Sequence, residues 1–151
     1  MPDPLAPRRD GRSLRELFEA ELALHGIAWC RGGCGRYHSH DNGSAFATVA
    51  TRTVHYNREI ATRATLQIGL HEIAHVILNH GPGKGKRAYQ REAEAEAWSF
   101  RRMRELGVPV PPKSRAQAKL YVTRKKRLGD RIRAARMARS RDVPPDDRER
   151  P

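Results

Sequence analysis

One stretch, LQIGLHEIAHVILNH (Leu66 to His80), limits what this chain can become more than any other. It sets histidines and a glutamate into an otherwise apolar segment of helical spacing. His71 and His75 are four residues apart, so on a helix both imidazoles leave the same face, one turn apart. Two neutral imidazole nitrogens so placed can take adjacent corners of a zinc tetrahedron. Glu72 directly follows the first histidine. From there its carboxylate reaches a water beside the metal without being a ligand itself. This is the H-E-x-x-H arrangement, in which the carboxylate takes the water's proton during attack on a carbonyl. The plain alternative is a pair of half-buried histidines with Glu72 on a solvated face. The apolar helical background favours the metal.

Two histidines leave a zinc one protein ligand short. His80 is five positions past His75, off the ligand face of a straight helix, and Gly81-Pro82 follows it at once. It reads as a helix-end residue. A histidine at metzincin spacing would fall six positions after His75, where the chain has Gly81. The better source is REAEAEAWSF, where a carboxylate on a second helix packed against the first would complete the set. Glu92, Glu94 and Glu96 compete for that role. At least two of the three are solvated surface acids.

The rest of the chain is organised around these two helices. Ser13 with Glu16 three residues on forms a capping box, and SLRELFEAELALHG carries most of an apolar stripe up to Gly26. IAWCRGGCGRYHSHDNG is rich in turn formers, and AFATVATRTVHYN reads as one or two strands. Gly81-Pro82-Gly83 stops the H-E-x-x-H helix, and the GPGKGK linker is exposed. AYQREAEAEAWSFRRMRELG is a third helix, acidic first and basic last, as the helix dipole favours. VPVPPK breaks it.

Charge then separates the last third from the rest. The 151 residues carry 30 Lys+Arg against 17 Asp+Glu, a net +13. Between Lys113 and Arg141 stand 12 basic residues and one acid, Asp130. Such a segment, helical in part, favours a polyanion, and nucleic acid is the usual one. With Tyr121 alone there is no aromatic series to stack bases, so phosphate contact without sequence readout is expected. The alternative is a solvated face that keeps the protein soluble. No apolar run reaches the length of a membrane span, and MPDPLAPRRDGRS lacks an apolar signal core. Two cysteines do not make a disulfide scaffold, and a reducing cytoplasm is the expected setting.

HYNREIATRATLQIGLHEIAHVIL followed by EAEAWSF resembles the ImmA/IrrE family of small zinc metallopeptidases. The family shows a strand ending in Asn, then a helix with HExxH, then a helix with E-x-x-A-x-x-F. Asn57 fits the first, and Glu94, Ala97 and Phe100 fit the last in register. The resemblance therefore implies a gluzincin-like site with His71, His75 and Glu94 on Zn2+ and Glu72 as catalytic base. Shifting the frame by two selects Glu92, Ala95 and Trp98, with Trp in place of Phe. The resemblance covers roughly residues 14 to 108. Trp98 replaces the family's frequent Asn, and RRMRELGVP replaces its apolar continuation. ELGVPVP is similar instead to the metallopeptidase half of ArdC-like antirestriction proteins. A repressor-type transcription factor is the substrate class the resemblance implies.

Two further groups carry side expectations. Cys30, Cys34, His38 and His40 (C-x3-C-x3-H-x-H) form a candidate second metal site, against a glycine-rich turn with two ordinary thiols. His55 and Tyr56 precede Asn57 and are candidates for oxyanion stabilisation, against packing at a sheet edge. The expected architecture is α+β and zincin-like: a short antiparallel sheet packed on the HExxH helix and a second Glu-bearing helix. A flexible arm (1–12), a metallopeptidase domain (13–110), a basic helical extension (111–141) and a disordered tail (142–151) make up the chain. The expected activity is zinc-dependent peptide hydrolysis. The rival is a nucleic-acid-binding accessory protein with a non-catalytic zincin-like core.

Overall fold

The computed structural model describes residues 11–32 and 45–141. Most of the arm, the tail, and the positions of Cys34, His38 and His40 lie outside the described residues. Four helices and a small three-stranded sheet make an α+β fold.

Helix α1 (Leu14–Leu24) opens on the capping box read from the sequence. The Glu16 amide donates to Ser13 Oγ at 3.2 Å, and the Ser13 amide donates to Glu16 Oε2 at 2.6 Å. It closes at Gly26, whose φ of 58° takes the left-handed turn that a Cβ would oppose. Strands β1 (Ala28–Cys30), β2 (Phe46–Thr48) and β3 (Thr53–His55) lie in the order β1-β3-β2. β2 pairs antiparallel with β3, Ala47 opposite Val54, through a tight turn. β1 pairs parallel with β3, Trp29 opposite Val54. The sheet is therefore mixed, not antiparallel as the sequence suggested. Only a crossover can bring β1 beside β3 in the same direction, and a three-residue strand next to Gly-rich sequence gives no local sign of it.

Helix α2 (Arg63–Ile77) carries the H-E-x-x-H residues. It starts at an N-cap of Thr62 that exchanges hydrogen bonds with Thr65. It ends earlier than the sequence suggested, at Ile77. Asn79, with φ 53°, makes the left-handed turn before the Gly-Pro pair is reached. Asparagine tolerates that conformation well. Helix α3 (Ala88–Glu105) ends at Gly107, φ 70°, and packs along α2. Helix α4 (Pro112–Arg141) docks its first turns on α3.

The core lies between α1, α2 and the sheet. Leu17, Phe18, Val54, Tyr56, Leu66, Leu70 and Ile73 are fully buried in it. Arg102 of α3 clamps Glu21 of α1 with two bonds of 2.9 and 2.6 Å, satisfying an acid that α1 buries. α1 and α2 approach closely at Gly69. A Cβ there would stand 2.6 Å from Cε2 of Phe18. Phe18 cannot retreat, because it is fully buried and meets Trp29 edge-on at 5.0 Å. Gly69→Ala is expected to cost about 1–3 kcal/mol by overpacking, read as a lower urea midpoint with unchanged m. An unchanged midpoint would mean the two helices separate freely.

Candidate metal centre

α2 presents His71 and His75 on the face that meets α3, as their four-residue spacing requires. Their Nε2 atoms are 3.0 Å apart. Glu92 of α3 completes a triangle, with Oε2 at 3.3 Å from His71 Nε2 and 3.8 Å from His75 Nε2. These three donors form a group that could hold a metal ion. Zinc bonds of 2.0–2.1 Å in a tetrahedron put ligand atoms about 3.3–3.4 Å apart. The three edges scatter around that value. Two imidazole nitrogens 3.0 Å apart cannot both present lone pairs to each other, so something positive must share the space. A proton or a metal cation meets that need.

Glu94 is not part of the group. It is 40% exposed and bonds His80 Nε2 at 2.9 Å and Lys86 Nζ at 2.6 Å. The expected set of His71, His75 and Glu94 is thus corrected to His71, His75 and Glu92. The reason is the rotational setting of α3. Ala95, Ser99 and Met103 are fully buried. With Glu92 and Glu96 they form one stripe at helical spacing. A residue two positions from Glu92 points about 200° away. Glu94 therefore leaves the far side, and Glu96 shares the inner face with Glu92.

Glu96 supports the site from behind. Its Oε1 lies 3.4 Å from His71 Nδ1, a charge contact outside good hydrogen-bond geometry. Its Oε2 accepts from Gln67 Nε2 at 2.9 Å, and Gln67 also meets Ser99. The sequence shows Glu96 only as one of three competing acids. Its i, i+4 relation to Glu92 is the signal that pairs them.

The electrostatics follow from three acids around two imidazoles. His71 rises from 6.5 to about 10: burial opposes protonation, but the Glu92 and Glu96 carboxylates outweigh it. Glu92 is held well below the usual carboxylate range; burial opposes this, and the two histidines outweigh it. Glu72 is buried beside the pair, and its pKa is raised by that burial, with His71 and His75 pulling the other way. Acids gathered around two imidazoles at this depth favour a cation among them.

A cleft of about 480 Å³ opens on this group. His71, Glu72, His75 and Glu92 line it, together with Phe46 and Ala47 of β2 and Tyr121 of α4. Among the described residues β2 is an edge strand. His55 and Tyr56 do not line the cleft. His55 bonds Thr48 Oγ1 at 3.0 Å and stacks on Phe46 at 4.3 Å, and the Tyr56 ring is in the core. The sheet-packing alternative is what the fold uses for His55; the buried Tyr56 hydroxyl has no hydrogen-bond partner among the described residues and feels the charge of Glu72. Cys30 ends β1 and is disulfide-bonded, so it is neither the metal ligand expected of a second site nor the ordinary thiol of the alternative, because a sulfur in a disulfide has no thiolate to offer.

No protein-family model, curated protein or solved structure matches the chain. The site stands on its own geometry: an α+β protein with a His71–His75–Glu92 group lining a cleft. Among the described residues no helix is long and apolar enough to cross a membrane.

Proposed function

We propose that the protein is a zinc-dependent peptidase of the zincin type, similar to the ImmA/IrrE enzymes. One observation carries the reading: the donor triangle and a buried carboxylate line one cleft, together with Phe46 and Ala47 of β2. His71, His75 and Glu92 would hold the ion. Zinc, when bound, supplies Lewis-acid polarisation of the scissile carbonyl and lowers the pKa of water. The chain's own groups do the rest. An extended peptide would lie in the cleft beside β2 and across the donor group. Glu72 takes the proton from the attacking water and returns it to the leaving amine, and its raised pKa suits both steps. Phe46, Val49 and Tyr121 give the cleft apolar walls, so extended segments with hydrophobic side chains fit it. A repressor-type protein is a substrate of this kind. The assay is cleavage of a mixed unfolded-protein digest, by zinc-loaded and chelator-treated protein, read by mass spectrometry. New termini dependent on zinc support the reading; identical peptide sets in both samples overturn it.

A second reading rests on α4. This 30-residue helix is about 45 Å long. From Lys126 to Arg139 every residue is exposed. Its 12 basic residues are spread around the axis and face one acid, Asp130, which Arg133 pairs at 3.2 Å. Like charges at this density oppose self-association and suit phosphate. The helix would bind nucleic acid without sequence preference, with or without catalysis in the core. Replacing Arg124, Lys125, Lys126 and Arg127 by glutamine removes up to four phosphate contacts. The slope of log affinity against log salt is then expected to fall by up to about 3.6, at ~0.9 per contact. Fluorescence titration of a labelled duplex from 50 to 200 mM salt reads it. A full-length chain that ignores duplex even at low salt excludes this role.

A further inference from the structure

We infer that His80 and Glu94 form a proton-fixing relay that sets the tautomer and ring position of His75. This rests on the metal-site reading above. His80 follows the end of α2. The left-handed turn at Asn79 folds it back, so that its amide donates to the His75 carbonyl at 3.0 Å. Its side chain is 1% exposed. Arg91 of α3 holds the loop by donating to the His80 and Gly81 carbonyls at 3.2 and 3.3 Å. The His80 ring then lies between two partners. Nδ1 is 3.0 Å from His75 Nδ1, and Nε2 is 2.9 Å from Glu94 Oε2. Lys86 Nζ anchors that same carboxylate oxygen at 2.6 Å.

One boundary condition fixes every proton in this chain. His75 Nε2 faces His71 and Glu92, so it must carry the lone pair that a cation uses. His75 Nδ1 must then be N–H and donate to His80 Nδ1. That leaves His80 Nε2 as N–H, and it donates to the Glu94 carboxylate. Each hydrogen bond then has one donor and one acceptor. A carboxylate at the far end makes the sequence of bonds favour electron density on His75 Nε2, as carboxylate–histidine pairs behind metal ligands do. Glu94 is thus a positioning residue acting through His80, on the opposite face of α3 from the ligand Glu92. His80 is a positioning residue and not a third histidine ligand.

The test is zinc affinity by chelator competition together with histidine tautomers by 15N NMR of the zinc-loaded full chain. Wild type should show protonated Nδ1 on His75 and protonated Nε2 on His80. His80→Phe should weaken zinc about 10–100-fold, and Glu94→Gln should weaken it by a smaller factor. The double variant should be no weaker than His80→Phe alone, because Glu94 acts only through His80. Glu94 is half exposed, so its variant and the wild-type spectrum remain informative should His80→Phe fail to fold. Unchanged affinity in Glu94→Gln, or the opposite tautomer on His80, overturns the relay. Complete loss of zinc in His80→Phe with no effect of Glu94→Gln makes His80 a ligand and overturns it also. A wild type that takes up no zinc sinks the site and the relay together, whereas loss of cleavage alone leaves the relay standing.

Discussion

Replacing His71 and His75 together by alanine is expected to abolish stoichiometric zinc. Purified wild type should carry about one equivalent, and the double variant none. Structural zinc is bound with roughly 10–16 kcal/mol across four ligands, so two imidazoles account for about 6 kcal/mol, or ~10^4-fold in affinity. Glu92→Ala should lose most of the metal as well, and Glu94→Ala should keep it at reduced affinity. Elemental analysis and competition titration measure both. Zinc retained by the histidine double variant would place the metal elsewhere in the chain. The same titration has a pH signature. In the metal-free protein His71 is raised from 6.5 to about 10, so it is protonated at neutral pH. Its contribution to stability is full below about 6.5 and lost as pH rises through about 10. Zinc must displace that proton, so uptake at pH 7.5 should release close to one proton from this group, and affinity should rise with pH. An affinity independent of pH between 6.5 and 9 contradicts the proton assignment.

Glu72→Gln is the second large effect. Glutamine keeps the size of the side chain and removes its basicity. Zinc content should be unchanged, and peptide cleavage should fall about 10²–10⁴-fold, the range of general acid–base catalysis. The variant should also be more stable than wild type above neutral pH, because a buried carboxylate beside Glu92 and Glu96 costs free energy when ionised. Loss of zinc in Glu72→Gln would show that this carboxylate is a ligand. Undiminished cleavage would remove it from the chemistry.

Local chemistry was legible wherever the cause is local. Ser13 and Glu16 are three residues apart, so the capping box and the start of α1 follow from four residues of sequence. The Gly26 and Gly107 stops are equally local. The end of α2 was misplaced because Gly81-Pro82 is the louder signal, while Asn79 turns the chain first. β1 went unread because three residues gain strand identity only from a parallel partner 25 positions away, Ala28 on Thr53. No local propensity records that pairing.

The four-residue spacing of His71 and His75 fixes that both leave one face of a helix, with Glu72 about 100° round from His71, because a helix has 3.6 residues per turn. The sequence favoured an acid from the EAEAEA segment as their partner, with His80 at the helix end as the weaker candidate. It did not determine which acid. Glutamate and alanine alternate there with period two, and a helix has no face with that period, so Glu92, Glu94 and Glu96 are equivalent until α3 is rotated against α2. The burial of Ala95, Ser99 and Met103 sets that rotation. It sends Glu92 to the histidines, Glu96 behind His71, and Glu94 to the outer side, where the turn at Asn79 brings His80 to meet it. The choice among three identical side chains is a packing decision, and only the tertiary structure holds it.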